Sequence, residues 1–278
     1  MRTTIAAWAR GLLEGGSLAD KLVAPPHDAE DVPGDAVDIG HPTRDQRLAL
    51  VDGSERLPRL AALGSPEARI VTLSRFAHHE LMAIELFAWA LLKFPTAAPA
   101  LRRGFVAALV EEQEHLRLYT ARLAAHGAVL GDVPLSGYFW KLVPAIRTAP
   151  DPLRAFLCAQ GLTLEQANLD FTILYRDAFH AAGDAETAAV LQRVHDDEVA
   201  HVRLARTWLV RDEAVVDADR DRYAQHVPFP LSAARAKGRR FEAGARRRAG
   251  LSEAFIAFVR DARPYAPASP PPPAADPA

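Results

Sequence analysis

Two Glu-x-x-His motifs, Glu112-Gln113-Glu114-His115 and Glu198-Val199-Ala200-His201, carry the residue types in this chain best suited to chemistry. Residues three apart share one face of a helix, so in each motif both side chains can reach a single metal ion. The faces they occupy are otherwise apolar. Every third or fourth residue around the second motif reads Leu191, Val194, Glu198, His201, Ala205, Trp208. Around the first it reads Leu101, Phe105, Ala108, Glu112, His115, Tyr119. A carboxylate on a core-facing stripe needs a partner, a proton or a metal.

One such motif is weak evidence, because roughly one arises by chance in a chain of this composition. The spacing adds weight. Glu80 precedes Glu112 by 32 positions (112 − 80) and Glu165 precedes Glu198 by 33 (198 − 165). The halves therefore repeat with an offset of 85 (165 − 80) or 86 (198 − 112). Glu80 lies in the stripe Ile70, Leu73, Ala77, Glu80, Ile84, Phe87, Leu91, whereas Glu85 lies off it and breaks the repeat. Glu165 has a less apolar stripe (Leu157, Gly161, Asn168, Thr172), and the repeat selects it over Asp170. Glu80, Glu112, His115, Glu165, Glu198 and His201 together match the ligand pattern of a di-metal four-helix bundle: one Glu from each of two helices and a Glu-x-x-His from each of the others. Two divalent ions balance four carboxylates. Oxygen-rich ligands with imidazole suit iron, manganese or a mixed pair, and Cys158 falls outside the pattern. Two iron ions with O2 as co-substrate then point to oxidation of a further molecule.

His79, His195, Asp197, Tyr119 and Trp140 are the candidates for positions behind the ligands or on the substrate side. For His195 a hydrogen-bonded core histidine is the weightier reading. Glu111, Glu114 and Asp196 read as solvated residues or as supports for the ligands.

The elements that must position these residues are helical. Ala and Leu abound and strand-like alternation is scarce, so the class is all-α, a ferritin-like four-helix bundle with helical or extended arms at both ends. Residues 1–64 form an N-terminal helix and an extended arm, the latter (27–64) rich in Pro, Gly and Asp. The bundle spans 65–212. Ser65-Pro66-Glu67 starts its first helix, and Pro95 stops it. The second ends at His126-Gly127. The 127–150 connection can cross the bundle, with Tyr138, Phe139 and Trp140 as a packed crossover or lid. A third helix runs from Asp151-Pro152 to about Ala182, and a fourth, capped by Asp184, to about Arg211. Residues 213–263 are a basic C-terminal segment with a loop over 212–230, a cationic stretch from Arg235 to Arg248 read as a solvated face, and a short helix capped by Ser252. The tail 264–278, with its run of four prolines, is expected to be disordered. A net charge of −2 gives no global attraction to nucleic acid or anionic membrane. One cysteine excludes an intrachain disulfide, and no signal pattern or membrane-length apolar run is visible. The expectation is a soluble cytoplasmic protein.

Further segments carry a resemblance to a known family. Ala77-His78-His79-Glu80-Leu81-Met82-Ala83-Ile84-Glu85-Leu86, Leu164-Glu165-Gln166-Ala167-Asn168-Leu169-Asp170-Phe171-Thr172 and Asp197-Glu198-Val199-Ala200-His201-Val202 are similar to its helix signatures. The opening, Ala6-Ala7-Trp8-Ala9 to Pro25-Pro26, and the closing stretch from Phe229 to Leu251 match as well. The chain resembles the ferritin-like proteins known as domain of unknown function 455. The resemblance implies metal ligands at the same six residues. Two departures border the expected pocket: Leu135-Ser136-Gly137-Tyr138-Phe139-Trp140 lacks the family's His and acid, and the family's Arg-Gly is missing after Glu165. The di-iron tRNA hydroxylase, a wider relative, implies that such bundles can act as monooxygenases. The reading is a di-metal hydroxylase or monooxygenase of a small-molecule or peptide substrate, supplied by an electron donor. It has no membrane association, nucleic acid is an improbable partner, and a homodimer is plausible. The competitors are a ferroxidase or iron-handling protein, and a metal-stabilised binding module.

Overall fold

The first bundle helix begins where its sequence says it should. Ser65 caps it by accepting from the Ala68 amide, Pro66 pre-sets the first turn, and Glu67 faces the helix dipole. In the computed structural model of the chain this helix runs Pro66–Lys93. The structure describes residues 4–32, 34–53, 56–213, 215 and 218–264, so all but Pro264 of the proline-rich tail lies outside the described residues.

In chain order the helices are α1 (Ile5–Glu14), α2 (Leu18–Lys21), α3 (Pro66–Lys93), α4 (Pro99–Ala125), α5 (Val143–Arg147), α6 (Pro152–Phe156), α7 (Gln166–Ala181), α8 (Ala185–Leu209), α9 (Asp219–His226), α10 (Ala243–Arg248) and α11 (Glu253–Asp261). A π-helical stretch, Leu157–Glu165, joins α6 to α7. The fold is predominantly helical, with α3 packed tightly on α4 and α7 on α8; α4 meets α8 to close the bundle, and α1 lies on α3. This is a ferritin-like helical bundle with additional helices at both ends. The apolar core is continuous from Ile5 in α1 to Val259 in α11. Among the described residues no helix is long and apolar enough to cross a membrane.

The third long helix is not uniform. Its middle is widened to the π form, in which the Thr163 hydroxyl donates to the Cys158 carbonyl five residues back at 2.7 Å. Within the π stretch Gly161 lies against α8: a Cβ there would sit 2.2 Å from the Ala205 Cβ. The glycine lets the two backbones approach. Such π segments are frequent at functional sites because they re-aim one side chain without ending the helix.

The arm 27–64 is packed along the bundle. Arg102 of α4 grips Asp31 through paired contacts, the closest 2.6 Å, and Lys93 of α3 reaches Asp38 at 2.8 Å. Leu50–Val51 pairs in parallel with Leu135–Ser136 of the crossover. Deeper in, Glu85 is fully buried and accepts from Arg44 Nη2 (2.7 Å), Trp140 Nε1 (2.9 Å) and Lys21 Nζ (3.2 Å). Glu85, the rejected alternative to Glu80, is therefore the anchor for the N-terminal arm and the crossover.

Two expectations for the C-terminal segment are corrected. The supposed loop 212–230 contains α9, held by tertiary contacts: Asp219 accepts from the Ser252 amide and hydroxyl at 2.9 and 2.6 Å, and Tyr223 packs on Phe255. The cationic stretch is not one solvated face. Arg246 is fully buried, donating to both carboxylate oxygens of Asp170 at 2.7 and 2.9 Å and lying over the Phe241 ring. The opposite charge of α7 overrides the solvation that charge patterning alone suggests.

Candidate metal centre

Each long helix of the bundle turns one or two of the candidate ligands inward. Glu80 comes from α3, Glu112 and His115 from α4, Glu165 from the end of the π segment, and Glu198 and His201 from α8. All six are buried, none more than 4 % exposed. They form two groups whose ligand atoms lie within 4.8 Å of one another: Glu80, Glu112, His115 and Glu198, and Glu112, Glu165, Glu198 and His201. Glu112 and Glu198, the carboxylates of the two Glu-x-x-His motifs, are common to both. Each remaining Glu sits with the His of its own half, Glu80 with His115 and Glu165 with His201. The internal repeat in the sequence thus becomes a pair of adjoining clusters, each able to hold a metal ion.

The residues fit divalent ions on two counts. Metal–ligand bonds of about 2.0–2.3 Å place opposite ligands up to about 4.5 Å apart, comparable to the observed clustering. Hydrogen bonding also fails at the centre. Both oxygens of Glu112 and Nδ1 of His115 are buried without a hydrogen-bond partner. Glu112 is nevertheless crowded by nitrogen, with His201 Nδ1 at 3.0 Å from one oxygen and His115 Nδ1 at 3.5 Å from the other. Buried polar atoms of native proteins are almost always satisfied, so an orphaned trio converging on one space marks a position for a cation.

Both imidazoles aim Nδ1 inward and Nε2 outward. His115 Nε2 meets Asp197 Oδ2 at 3.2 Å, and His201 Nε2 meets Glu111 Oε2 at 2.7 Å. A carboxylate behind the ring holds the proton on Nε2 and leaves the Nδ1 lone pair for coordination. Asp197 is itself held by Arg193 Nε at 2.7 Å. Two amides orient the other carboxylates: Asn168 Nδ2 donates to Glu198 Oε1 at 3.0 Å, and Gln160 Nε2 donates to Glu165 Oε1 in a short contact.

Without a cation, protons must balance the charge. Burial, then the charge of Glu112, pushes the Glu80 carboxyl well up, and burial with the charges of Glu198 and Glu112 does the same to Glu165. Burial opposes the charged form of both imidazoles, yet the surrounding carboxylates (Asp197 and Glu112 for His115, Glu111 and Glu112 for His201) raise them well above the ordinary range. Burial also works against ionised Glu112, but the proton-bearing groups crowded against it, Glu80, His115 and His201, favour its charged form and lower that carboxyl. Protons thus occupy the ligand set of the metal-free protein, and cation binding must release them.

The other sequence candidates divide. Tyr119 is buried against Phe76, and its hydroxyl is pushed up by burial and by the charges of Glu80, Glu198 and Glu112, which places it beside the carboxylates. Asp197 stands behind His115. His79 is stacked on Phe139 at 5.2 Å, facing a cavity rather than the ligand set. His195 is separate: its Nδ1 lies 3.1 Å from the Thr172 hydroxyl, and its Nε2 accepts from Arg248 at 3.1 Å. Trp140 belongs to the Glu85 clamp. Glu111, read from sequence as solvated or as a support for the ligands, takes the supporting place behind His201; Gln160 and Asn168 were not singled out by sequence. Asn168 left a trace, lying in the Glu165 stripe; Gln160 left none, because its contact with Glu165 five residues on belongs to the π segment.

A cavity of about 540 Å³ adjoins the cluster, bounded by α3, α7, the crossover and the segment after α9. Asn168 belongs to both, lining the cavity and donating to Glu198.

Helices that bring carboxylates and imidazoles to one buried layer define the ferritin-like class of bundle, with a di-metal type of site. The chain belongs to the family described as Protein of unknown function (DUF455), whose model matches residues 2–257 and which falls within the ferritin-like superfamily. No match was found among curated proteins or among solved structures.

Proposed function

We propose that this protein is a non-haem dinuclear iron oxidoreductase, with manganese or a mixed pair as the other metal choices, that uses O2 to hydroxylate an organic molecule. Glu80, Glu112, His115, Glu165, Glu198 and His201 would hold the ions. The observation that carries the reading is the pair of adjoining clusters sharing Glu112 and Glu198, centred on buried atoms that lack any other partner. A dinuclear iron centre supplies reduction of O2, with a separate electron donor needed for each turnover. The residues of the chain do the rest. Asp197 and Glu111 keep the imidazole protons on the outer nitrogens, Asn168 and Gln160 hold two carboxylates in place, and the apolar packing around Tyr119 and Phe76 limits access of water.

Iron handling, as in a ferroxidase, uses the same ligand types. The cavity that shares Asn168 with the cluster favours the oxygenase reading, since oxidation of ferrous iron has no use for a largely apolar chamber of this size.

The test is metal content by mass spectrometry after anaerobic ferrous loading, for the wild type and Glu165→Ala. About two equivalents of iron in the wild type, falling below one in the variant with an unchanged far-ultraviolet spectrum, is the expected result. O2 uptake should continue while an external reductant is supplied, and should not stop at the amount that the bound iron alone can reduce. A folded wild type that stays metal-free ends the metal-centre reading; uptake that scales only with added ferrous iron replaces it with the ferroxidase.

A further inference from the structure

The cavity beside the cluster has a strong chemical asymmetry. Its inner wall is apolar: Phe76 from α3, Leu164 and Ala167 beside Glu165, Phe171 one turn further along α7, and Phe139 from the crossover. Its polar lining includes three cations, Lys141 on the crossover and Arg235 and Lys237 on the segment following α9. Among the described residues no carboxylate lines the cavity, and none of the three cations makes an ion pair with one. Lys141 is exposed. Arg235 is braced instead of neutralised: its guanidinium donates to the Tyr138 hydroxyl at 2.6 Å and lies 5.3 Å from the centre of the same ring. Lys237 donates to the Arg260 carbonyl and also feels the charge of Asp261, so Arg235 and Lys141 are the two cations left to a ligand. In a chain with a net charge of −2, three cations gathered around one apolar cavity that has no acid among its described lining residues are a selective feature.

We propose that this cavity is the substrate chamber and that it takes an anionic organic molecule with a flat apolar body. The assignment of that molecule as substrate rests on the dinuclear reading of the site. The carboxylate or phosphate end would pair with Arg235 and Lys141, and the body would lie among Phe76, Phe139 and Phe171. The far end would then face Asn168, the residue that also holds Glu198. The volume of about 540 Å³ lies within the range of chambers that enclose a small organic ligand. Ser136, Tyr138 and Phe139 of the crossover, with Leu164 and Ala167 on either side of Glu165, supply two walls of this chamber.

The test uses four probes with one body and different heads: 2-naphthoate, 2-naphthyl phosphate, 2-naphthol and 2-naphthylmethylammonium. Each is titrated by calorimetry into the full-length, metal-free protein and into the Lys141→Ala/Arg235→Ala variant, both changed positions lying outside the bundle helices. The naphthoate or the naphthyl phosphate should bind at least tenfold tighter than naphthol, and the ammonium weakest. Whichever anion binds tighter identifies the head group as carboxylate or phosphate. The double variant should lose about tenfold for the anions and keep its affinity for naphthol. Equal binding of the four probes, no binding of any, or an anion preference that survives in the double variant overturns the proposal. Iron loading of the same samples separates the two readings. An anion preference in a protein that takes up no iron preserves the chamber and removes its role in oxidation. Iron uptake without the preference removes the chamber and leaves the metal centre.

Discussion

At the scale of the residue, the informative atoms are those that hydrogen bonding leaves over. Glu112 stands at the centre of the cluster with two buried oxygens unsatisfied, while the imidazoles beside it are satisfied on their outer nitrogens. The outer partners have a measurable role. Asp197→Asn removes the charge that holds the Nε2 proton of His115 while keeping the side-chain size. Loss of such a supporting carboxylate typically weakens a metal site by about 10- to 100-fold. A competition titration with a chelator should register that drop for Asp197→Asn at an unchanged melting temperature of the metal-free protein. An unaltered affinity would mean that His115 is oriented by packing alone.

At the scale of the element, the π segment decides where Glu165 points. Gly161 permits the close approach to α8, and a Cβ at that position would lie 2.2 Å from that of Ala205, closer than two carbons can pack. Gly161→Ala must therefore push the two elements apart. Overpacking of this kind costs about 1–3 kcal/mol, and the displacement also moves Glu165 relative to Glu198. The expected outcome in urea denaturation is a lower midpoint with loss of metal, and Ala205→Gly in the same chain should recover most of both. A double variant no better than the single one would show that the strain lies elsewhere. The π form itself escapes a periodicity reading. The sequence from Pro152 to Ala181 carries no proline or glycine other than Pro152 and Gly161, so it reads as one regular helix. The extra width becomes visible only when α8 is in place against it.

At the scale of the whole molecule, the arms are locked to the bundle by buried charge. Lys21 is fully buried, donating to the Leu12 and Thr43 carbonyls at 2.8 Å each and pairing with Glu85. Burial, the largest influence, lowers the Lys21 pKa, and the Glu85 carboxylate only partly offsets it. Truncating one partner of a buried pair leaves an uncompensated charge and costs about 3–5 kcal/mol. Arg44 and Trp140 remain on Glu85, so Lys21→Met should fall at the lower end, about 3 kcal/mol by urea denaturation. Limited proteolysis should then cut first within the arm 27–64. A loss below about 1 kcal/mol would show that the arm is held by its apolar contacts and by the Asp31 and Asp38 pairs.

The six candidate ligands, the bundle and its internal repeat were legible in the chain because periodicity is a local property. A carboxylate recurring on an apolar stripe must be buried, and four such stripes have few ways to meet. The helix starts at Ser65, Asp151, Asp184 and Ser252 were legible for the same reason, since each cap acts within its own first turn. What the sequence left open depends on residues far apart in the chain. That Glu112 and Glu198 are common to both clusters, that Glu85 anchors Lys21 and Arg44, that Arg246 is buried on Asp170, and that Trp140 joins the clamp were decided only by the tertiary structure. A side chain's local pattern fixes which face it occupies. Which opposite charge or orphaned atom it finds there is set by the packing of elements that no short-range rule connects.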